Sequence, residues 1–228
     1  NVFVQNQADY RMAVITTSDP MVYQIVNSNT PNATQAMQSM VAVGVRGSGT
    51  EMGLEMAYQA LNDPSSAGPG SSFFRNNSDL VVIFVSDEPD HSSPGWSSYL
   101  TFFDTLKPVG DFVPYGVIGD YPGGCTISYP YGNAQFGAGY WDLIDHYGGS
   151  WYSICASDWG VQLQDLAGEV TGRRTFALDE PDPIIDTIEV TVNGQVTTDW
   201  EYDEASNSVV FAEGHVPEEG QTVNINYT

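Results

Sequence analysis

The sequence predicts an α/β protein, with a doubly wound, mostly parallel sheet in residues 1–172 and a small all-β, sandwich-like module in residues 173–228. Through the first part, apolar runs of strand length alternate with amphipathic helical stretches. After Gly172 the helical periodicity disappears, and the 54 residues from Thr175 to Thr228 carry 12 acids and no Lys or Arg. The change in both periodicity and charge indicates a domain boundary near Gly172.

Apolar, β-branched runs in the first part have the length and composition of buried strands. They cover residues 9–17, 80–85 and 112–118, and residues 21–26 form a shorter candidate. The run at 80–85 is continuously apolar, which is typical of a parallel strand covered on both faces. We therefore expect it to lie inside the sheet.

Helical spacing of apolar residues occurs in residues 50–61, 97–106, 140–146 and 159–166. The clearest of these is 50–61, where Thr50 is a candidate N-cap and Glu51 an acid in the first turn. Gly148-Gly149 is expected to end the helix at 140–146. Residues 36–45 are apolar in a pattern that fits either a strand or a short helix.

The C-terminal module is predicted from short strands and turn signals. Residues 188–192 alternate between apolar and polar side chains and are followed by Asn193-Gly194, a strong hairpin signal. Further strands are expected at 199–202, 208–211 and 222–227, with a turn at 216–220. Such a series is typical of a small sandwich.

The charge of the chain excludes one class of partner. Six Lys and Arg residues stand against 29 Asp and Glu, which gives a formal net charge of -23. This surface repels phosphate backbones and anionic lipids, so we expect no nucleic-acid binding. The same charge fits either solubility in an exposed setting or affinity for divalent cations. The sequence contains no apolar run long enough to span a membrane and no signal-peptide pattern.

The chain has two cysteines, Cys125 and Cys155, whose spacing fits neither a CxxC motif nor a zinc cluster. We expect them to form a disulfide. Because disulfides persist in oxidising compartments, this pairing predicts an extracellular or cell-surface protein.

Three segments in this order carry a family resemblance: residues 9–17, Gly47-Ser48-Gly49-Thr50 with the helix that follows, and Ser86-Asp87-Glu88 after the run at 80–85. Gly119-Asp120 and the segment from Gly148 to Cys155 continue it. This pattern resembles secreted bacterial von Willebrand factor type A domains over about three quarters of the chain. The resemblance implies a doubly wound fold and protein binding that depends on Mg²⁺ or Ca²⁺, without catalysis.

The resemblance also implies site residues. Thr50 would supply a hydroxyl ligand to the cation and Asp87 a carboxylate, and Ser48, Glu88 and Asp90 lie in the same two loops as further binding candidates. Hydroxyls and a few carboxylates suit a hard cation such as Mg²⁺. Without a metal, Thr50 would act as a helix cap and Asp87 would cap the turn at 87–90.

The first loop of the family's metal site, Asp-x-Ser-x-Ser after a central strand, is absent from these residues. A missing central strand would leave backbone groups unpaired inside the sheet. We therefore expect an upstream segment of the same precursor, or a neighbouring subunit, to fill that position.

Other interpretations remain open at this point. A Ser-His-Asp hydrolase is one alternative, although the sequence has no Gly-x-Ser-x-Gly elbow and the histidines at 91, 146 and 215 lie far apart in it. Asp87, Glu88 and Asp90 allow the paired carboxylates of a glycosidase or form a solvated acidic loop. The acids at 179, 180, 182 and 186 could hold calcium or form a solvated linker. Several aromatic residues, Trp141 among them, could stack on sugars, anchor a protein interface or pack under loops.

The sequence thus predicts an extracellular protein-binding or adhesion protein, and not an enzyme. One alternative is a structural subunit of a surface filament or appendage that is completed by a strand from an upstream segment or a neighbouring copy. The other alternative is a hydrolase. The expected partners are another protein or further copies of the chain, with no nucleic acid.

Overall fold

The computed structural model describes residues 10–44, 47–76, 78–107, 112–127, 132–157, 175–178, 183–204, 207–212, 215, 217 and 221–227. These residues form two compact units, one built from 10–157 and the other from 175–227. The predicted domain boundary near Gly172 and the predicted helix at 159–166 lie outside the described residues, so both stay predictions.

The first unit begins with a short antiparallel pair of strands. β1 (Arg11–Met12) pairs with β2 (Val26–Asn27) in a two-stranded sheet, and helix α1 (Ala33–Val41) follows. The strand predicted at 9–17 is therefore far shorter than expected and lies outside the parallel sheet. The ambiguous segment at 36–45 is helical in its first half, and α1 has no buried residue.

Helix α2 (Gly53–Asn62) supplies much of the core of this unit. Its buried side is formed by Leu54, Met56, Ala57, Ala60 and Leu61. The apolar spacing predicted this helix correctly, but its start is three residues later than Thr50, and its N-cap is Met52. Pro64 follows directly after the C-cap Asp63 and cannot continue the helix.

Two parallel strands form the centre of the unit. β3 (Leu80–Ser86) is followed by a 3₁₀ turn (Trp96–Tyr99), helix α3 (Leu100–Leu106) and β4 (Phe112–Ile118). The two strands pair in parallel along their whole length, from Leu80 opposite Phe112 to Ser86 opposite Ile118. Helix α3 packs on this sheet through Phe103, whose ring stacks on Phe112 at 4.3 Å.

The rest of the unit adds a hairpin, a helix and a third parallel strand. β5 (Cys125–Ile127) and β6 (Gly132–Ala134) are antiparallel, and helix α4 (Tyr140–Tyr147) ends at Gly148, as predicted, with φ +70°. β7 (Trp151–Ser153) then pairs in parallel with β4, which gives the order β3-β4-β7. The described residues thus form a mixed α/β unit with a three-stranded parallel sheet, while the larger doubly wound sheet stays a prediction.

The second unit is all-β, apart from a single 3₁₀ turn (Ile185–Thr187), in its described residues. Its strands are β8 (Thr175–Ala177), β9 (Glu189–Val192), β10 (Gln195–Thr197), β11 (Trp200–Asp203), β12 (Ser208–Phe211) and β13 (Val223–Asn226). They form two antiparallel sheets, ordered β10-β9-β13 and β11-β12-β8, around a shared core that includes Val190, Val209 and Phe211. The predicted hairpin turn has positive φ at both Asn193 and Gly194, which suits its β9–β10 position.

Among the described residues, none of the helices has the length and apolar character that crossing a bilayer would require.

Candidate functional site

Two loops meet at the carboxyl end of β3, where open parallel sheets commonly place their ligands. The hydroxyl of Ser86, the last residue of β3, donates to the carboxylate of Glu51 and accepts a hydrogen bond from the Glu88 amide at 3.1 Å. The amide of His91 donates to the carbonyl of Glu51 at 2.8 Å. Glu51 and Ser86 therefore join the loop before α2 to the loop after β3.

Negative charge collects at this junction. Partial burial raises the pKa of the Glu51 carboxyl above its usual value, and the nearby Asp87 and Glu88 carboxylates raise it further. The hydrogen bond from Ser86 and the neighbouring His91 act in the opposite direction but do not cancel these effects. A positive group placed here would relieve the repulsion between the carboxylates.

The first turn of α2 is held by side chains from two other elements. The amide of Gly53 donates to the Tyr140 hydroxyl at 3.1 Å, the Leu54 amide to Asp90 Oδ1 at 3.1 Å, and the Glu55 amide to Ser92 Oγ at 2.9 Å. These three bonds satisfy amides that have no partner within the helix. Burial raises the pKa of the Tyr140 hydroxyl, and the negative charge of Asp90 adds to that shift.

The predicted site residues have different roles in this arrangement. Ser48, Thr50 and Asp87 are exposed, whereas Glu88 and Asp90 are partly buried. The amide of Thr50 donates to Ser48 Oγ at 3.0 Å. Because Met52 is the N-cap of α2, the interpretation of Thr50 as a helix cap is wrong. Asp90 takes over much of that capping from the opposite loop.

Two observations on the described residues concern the expected cation site. These residues contain no group of three or more His, Cys, Asp or Glu side chains placed to hold a metal ion. Both carboxylate oxygens of Asp90 accept hydrogen bonds, Oδ1 from the Leu54 amide and Ser92 Oγ and Oδ2 from the Ser92 amide, which leaves Asp90 poorly placed as a ligand. Mg²⁺ or Ca²⁺ at Thr50 and Asp87 stays a prediction.

The disulfide joins the first residue of β5 to the chain just after β7. Cys125 and Cys155 are bonded, as predicted, with their Cα atoms 6.1 Å apart. The amide of Ile154 donates to the carbonyl of Ile118 at 2.9 Å, so the chain after β7 stays beside the end of β4. Gly119 is required here because a Cβ at that position would lie 1.7 Å from the Gln135 carbonyl oxygen. Asp120 Oδ1 is buried and receives no hydrogen bond from the described residues.

The three histidines lie in different surroundings, and His91 is the one that neighbours the Glu51 carboxyl. His146 packs beside Trp96 and Tyr147, and His215 Nδ1 lies 3.2 Å from Asp199 Oδ2 in the C-terminal unit. The hydrolase alternative therefore stays an untested prediction. Of the four acids considered for calcium, Asp186 is exposed in the 3₁₀ turn at 185–187, and the other three lie outside the described residues.

The sequence patterns drew attention to Glu51 as an acid of the first helical turn and to Ser86 in the Ser86-Asp87-Glu88 segment, but they predicted neither the bond between these two residues nor the capping of α2 by Tyr140. Glu51 and Ser86 are 35 positions apart, and Tyr140 is 87 positions from Gly53. The local signal that could have suggested the last contact is the glycine at the first position of α2. A Cβ there would lie 2.6 Å from the Tyr140 hydroxyl.

Comparisons with protein-family models, with curated proteins and with solved structures found no match to this chain.

Proposed function

We propose that this protein is an extracellular binding protein whose α/β unit holds an extended polypeptide segment along the outer edge of β3. The observation that carries the proposal is the position of β3 in the sheet. It pairs with β4 on one side, and none of the described strands pairs with its other side. In a parallel ladder about half of the backbone groups of a strand point to each side, so this edge offers a row of donors and acceptors.

The side chains of β3 support the same conclusion. Leu80, Phe84 and Ser86 are buried, but Ile83 and Val85 on the opposite face are 44% and 52% exposed. An apolar strand of seven residues with an open edge is a template for pairing with another chain, and folded proteins usually cover or charge such edges. A bound strand would gain main-chain hydrogen bonds along this edge and apolar contacts at Ile83 and Val85.

The source of the bound segment is the second part of the proposal. The resemblance to A domains favours an upstream segment of the same precursor that carries the central strand and completes the fold. A strand donated by a neighbouring copy would instead make the protein a structural subunit of a surface filament. The disulfide fits an oxidising, extracellular setting for either arrangement, since such bonds persist there.

Hydrogen exchange tests this proposal directly. Protein purified from its natural source would be compared with the recombinant 228-residue chain at low concentration, with intact mass used to detect any added segment. We expect the amides of β3 to exchange more slowly in the natural material. Residues 116–118 of β4, which are paired with β3 on one side and with β7 on the other, are the internal control and should exchange equally in both samples. Equal exchange of β3 in the two samples would overturn the proposal.

Two variants distinguish self-association through the edge of β3 from self-association through another surface. Replacing Ile83 and Val85 together by Lys places charge on the exposed face of β3 without touching its buried side chains. We expect the recombinant chain to self-associate with rising concentration in sedimentation velocity, and the double variant to remain monomeric. The control is Val196→Lys, at a residue that is 64% exposed in the other unit. Self-association that survives the double variant would contradict pairing at β3.

We propose a divalent cation at Thr50 and Asp87 as a second candidate function, which the negative charge around Glu51 favours. Thermal unfolding with added Mg²⁺ or Ca²⁺ and with EDTA tests it. We expect the cation to raise the melting temperature of the wild type and to have a much smaller effect on Asp87→Asn. An identical response in both proteins would eliminate this site.

A further inference from the structure

Three aromatic side chains form a compact group beside the carboxyl end of β4, which we call the aromatic patch (Tyr121, Phe136 and Trp141). The rings of Tyr121 and Trp141 are stacked, with centroids 4.6 Å apart and planes inclined by 20°. Phe136 meets both rings at a steep angle, with centroid distances of 5.3 Å to Tyr121 and 6.0 Å to Trp141. Each ring is thus held in place by the other two.

The patch presents one ring to solvent. Trp141 packs against the hydrophobic core of the first unit, and both Trp141 and Phe136 are partly buried. Tyr121, which lies on the outside of the stack, is 55% exposed. One face of Tyr121 is taken by Trp141, so much of the exposed area belongs to its outer face and its edge. Single exposed aromatic residues are common on protein surfaces, but the ring of Tyr121 is held in one orientation by the stack.

Three acidic residues lie close to Tyr121 and Trp141 in the sequence, and one of them, Asp142, accepts a hydrogen bond from the Gly139 amide. Asp120 precedes Tyr121, Asp142 follows Trp141, and Asp145 is exposed one helical turn beyond Trp141. The face of an aromatic ring attracts cations, and carboxylates beside it strengthen that attraction.

Positive charge for this surface is scarce within the chain. The chain has six Lys and Arg residues, and two of them are engaged within the first unit. Arg11 donates to the carbonyl of Ser72. Lys107 donates to the carbonyl of Arg75 and lies over the Phe74 ring, 4.8 Å from its centroid. With 29 acids against six basic residues, the chain as a whole attracts cationic partners.

We propose that the aromatic patch binds the cationic side chain of an Arg or Lys residue in a basic segment of a partner protein. The planar guanidinium group of Arg suits this geometry best, because it stacks on the open face of Tyr121 while its edge donates to a neighbouring carboxylate. Net charge favours this occupant over a neutral sugar, the other common ligand of exposed aromatic stacks. The patch is separate from the outer edge of β3, so the proposal holds whether or not a strand binds there.

The test measures the binding of short peptides to the whole chain by tryptophan fluorescence and calorimetry. One peptide alternates Gly with Arg, a matched peptide replaces each Arg by neutral citrulline, and a neutral oligosaccharide such as cellohexaose serves as the third probe. We expect the Arg peptide to bind more tightly than the citrulline peptide, and the difference to shrink as salt is added.

Variants separate the patch from general attraction to an acidic surface. Tyr121→Ala should weaken binding of the Arg peptide about tenfold, and Tyr121→Phe should retain it. Tyr23→Ala removes a tyrosine that is 80% exposed elsewhere in the same unit and should leave binding unchanged. Thermal unfolding confirms that each variant is folded.

The proposal is overturned if the Arg peptide does not bind or if the citrulline peptide binds equally tightly. It is also overturned if Tyr121→Ala binds the Arg peptide as tightly as the control Tyr23→Ala does. Binding of the oligosaccharide that depends on Tyr121, with no preference for Arg, would likewise overturn it and assign the patch to carbohydrate recognition.

Discussion

The Tyr140 hydroxyl accepts a hydrogen bond from the Gly53 amide at 3.1 Å and thereby joins the first turn of α4 to the first turn of α2. The ring of Tyr140 is stacked on Phe84 of β3 at 5.1 Å. One side chain therefore links two helices and the central sheet directly below the candidate site.

Removal of this hydroxyl tests its contribution to stability. Tyr140→Phe keeps the ring in the core but leaves the Gly53 amide without its buried acceptor. We expect the free energy of unfolding to fall by about 1–2 kcal/mol, measured by urea denaturation. Tyr23→Phe is the control. It removes a solvent-exposed hydroxyl that donates to Asp19 Oδ2, and it should change the free energy of unfolding by less than about 0.5 kcal/mol because that bond is open to water. Equal effects of the two variants would rule out the capping role of Tyr140.

Two glycines in one loop give a matched pair for a packing prediction. Gly119→Ala would place a Cβ 1.7 Å from the Gln135 carbonyl oxygen, whereas a Cβ at Gly123 meets no atom within 4 Å. We expect Gly119→Ala to lower the free energy of unfolding by about 3 kcal/mol or more. Gly123→Ala should be close to neutral. A neutral result for Gly119→Ala would show that β4 and the chain at Gln135 do not approach each other this closely.

The raised pKa of Glu51 predicts a pH dependence of stability. A carboxyl whose pKa is higher in the folded state than its usual 4.5 favours folding when protonated. That stabilisation is complete below about pH 4.5 and is lost as the pH rises through the higher pKa of the folded protein. In Glu51→Gln the side chain stays neutral at every pH and can still accept the hydrogen bond from Ser86. Because only the wild type loses this stabilisation, the free energy of unfolding of the variant relative to the wild type should increase as the pH rises from about 4 to 7.

Urea denaturation across this pH range measures the effect. Asp145→Asn, which removes an exposed carboxylate from the same unit, is the control and should show a nearly constant difference from the wild type. A constant difference for Glu51→Gln as well would mean that Glu51 titrates like an exposed glutamate.

The disulfide gives a fourth prediction. Cys125 and Cys155 are 30 positions apart, and opening a loop of this length should lower the free energy of unfolding by about 3–4 kcal/mol. The double variant Cys125→Ser with Cys155→Ser tests this value by thermal and urea unfolding. Reduced wild-type protein should match the double variant, and a loss below about 1 kcal/mol would contradict the prediction.

Local patterns predicted α2, α3, α4 and the central strands well, because their apolar spacing reflects the faces that they bury. Strands β3 and β4, the end of α4 at Gly148 and the Asn193-Gly194 turn all have local signals. The strand at 9–17 was overestimated because an apolar run does not reveal its pairing partner, and only Arg11–Met12 finds one in β2.

The candidate site was predicted only as two loops. Sequence placed Thr50 and Asp87 at the carboxyl end of the sheet, but it could not show that Asp90 and Tyr140 cap α2 or that Glu51 bonds Ser86. Each of these contacts joins residues that are 35 or more positions apart, and each depends on how the helices pack on the sheet. Thr50 was assigned to the N-cap because its residue type suits that position, whereas side chains from the opposite loop and from α4 satisfy the amides of the first turn.

The bond between Cys125 and Cys155 also determines how the protein responds to mechanical tension. A pull along the chain passes from one sulfur to the other, so that β6, α4 and β7, which lie between the two cysteines, carry none of the load. About 100 Å of chain is then withheld from extension, since each residue contributes up to roughly 3.4 Å when stretched. A protein built in this way can lengthen under force while α4 and β7 stay inside the closed loop, whereas β4 and Tyr121 precede Cys125 and lie in the stretch that bears the load.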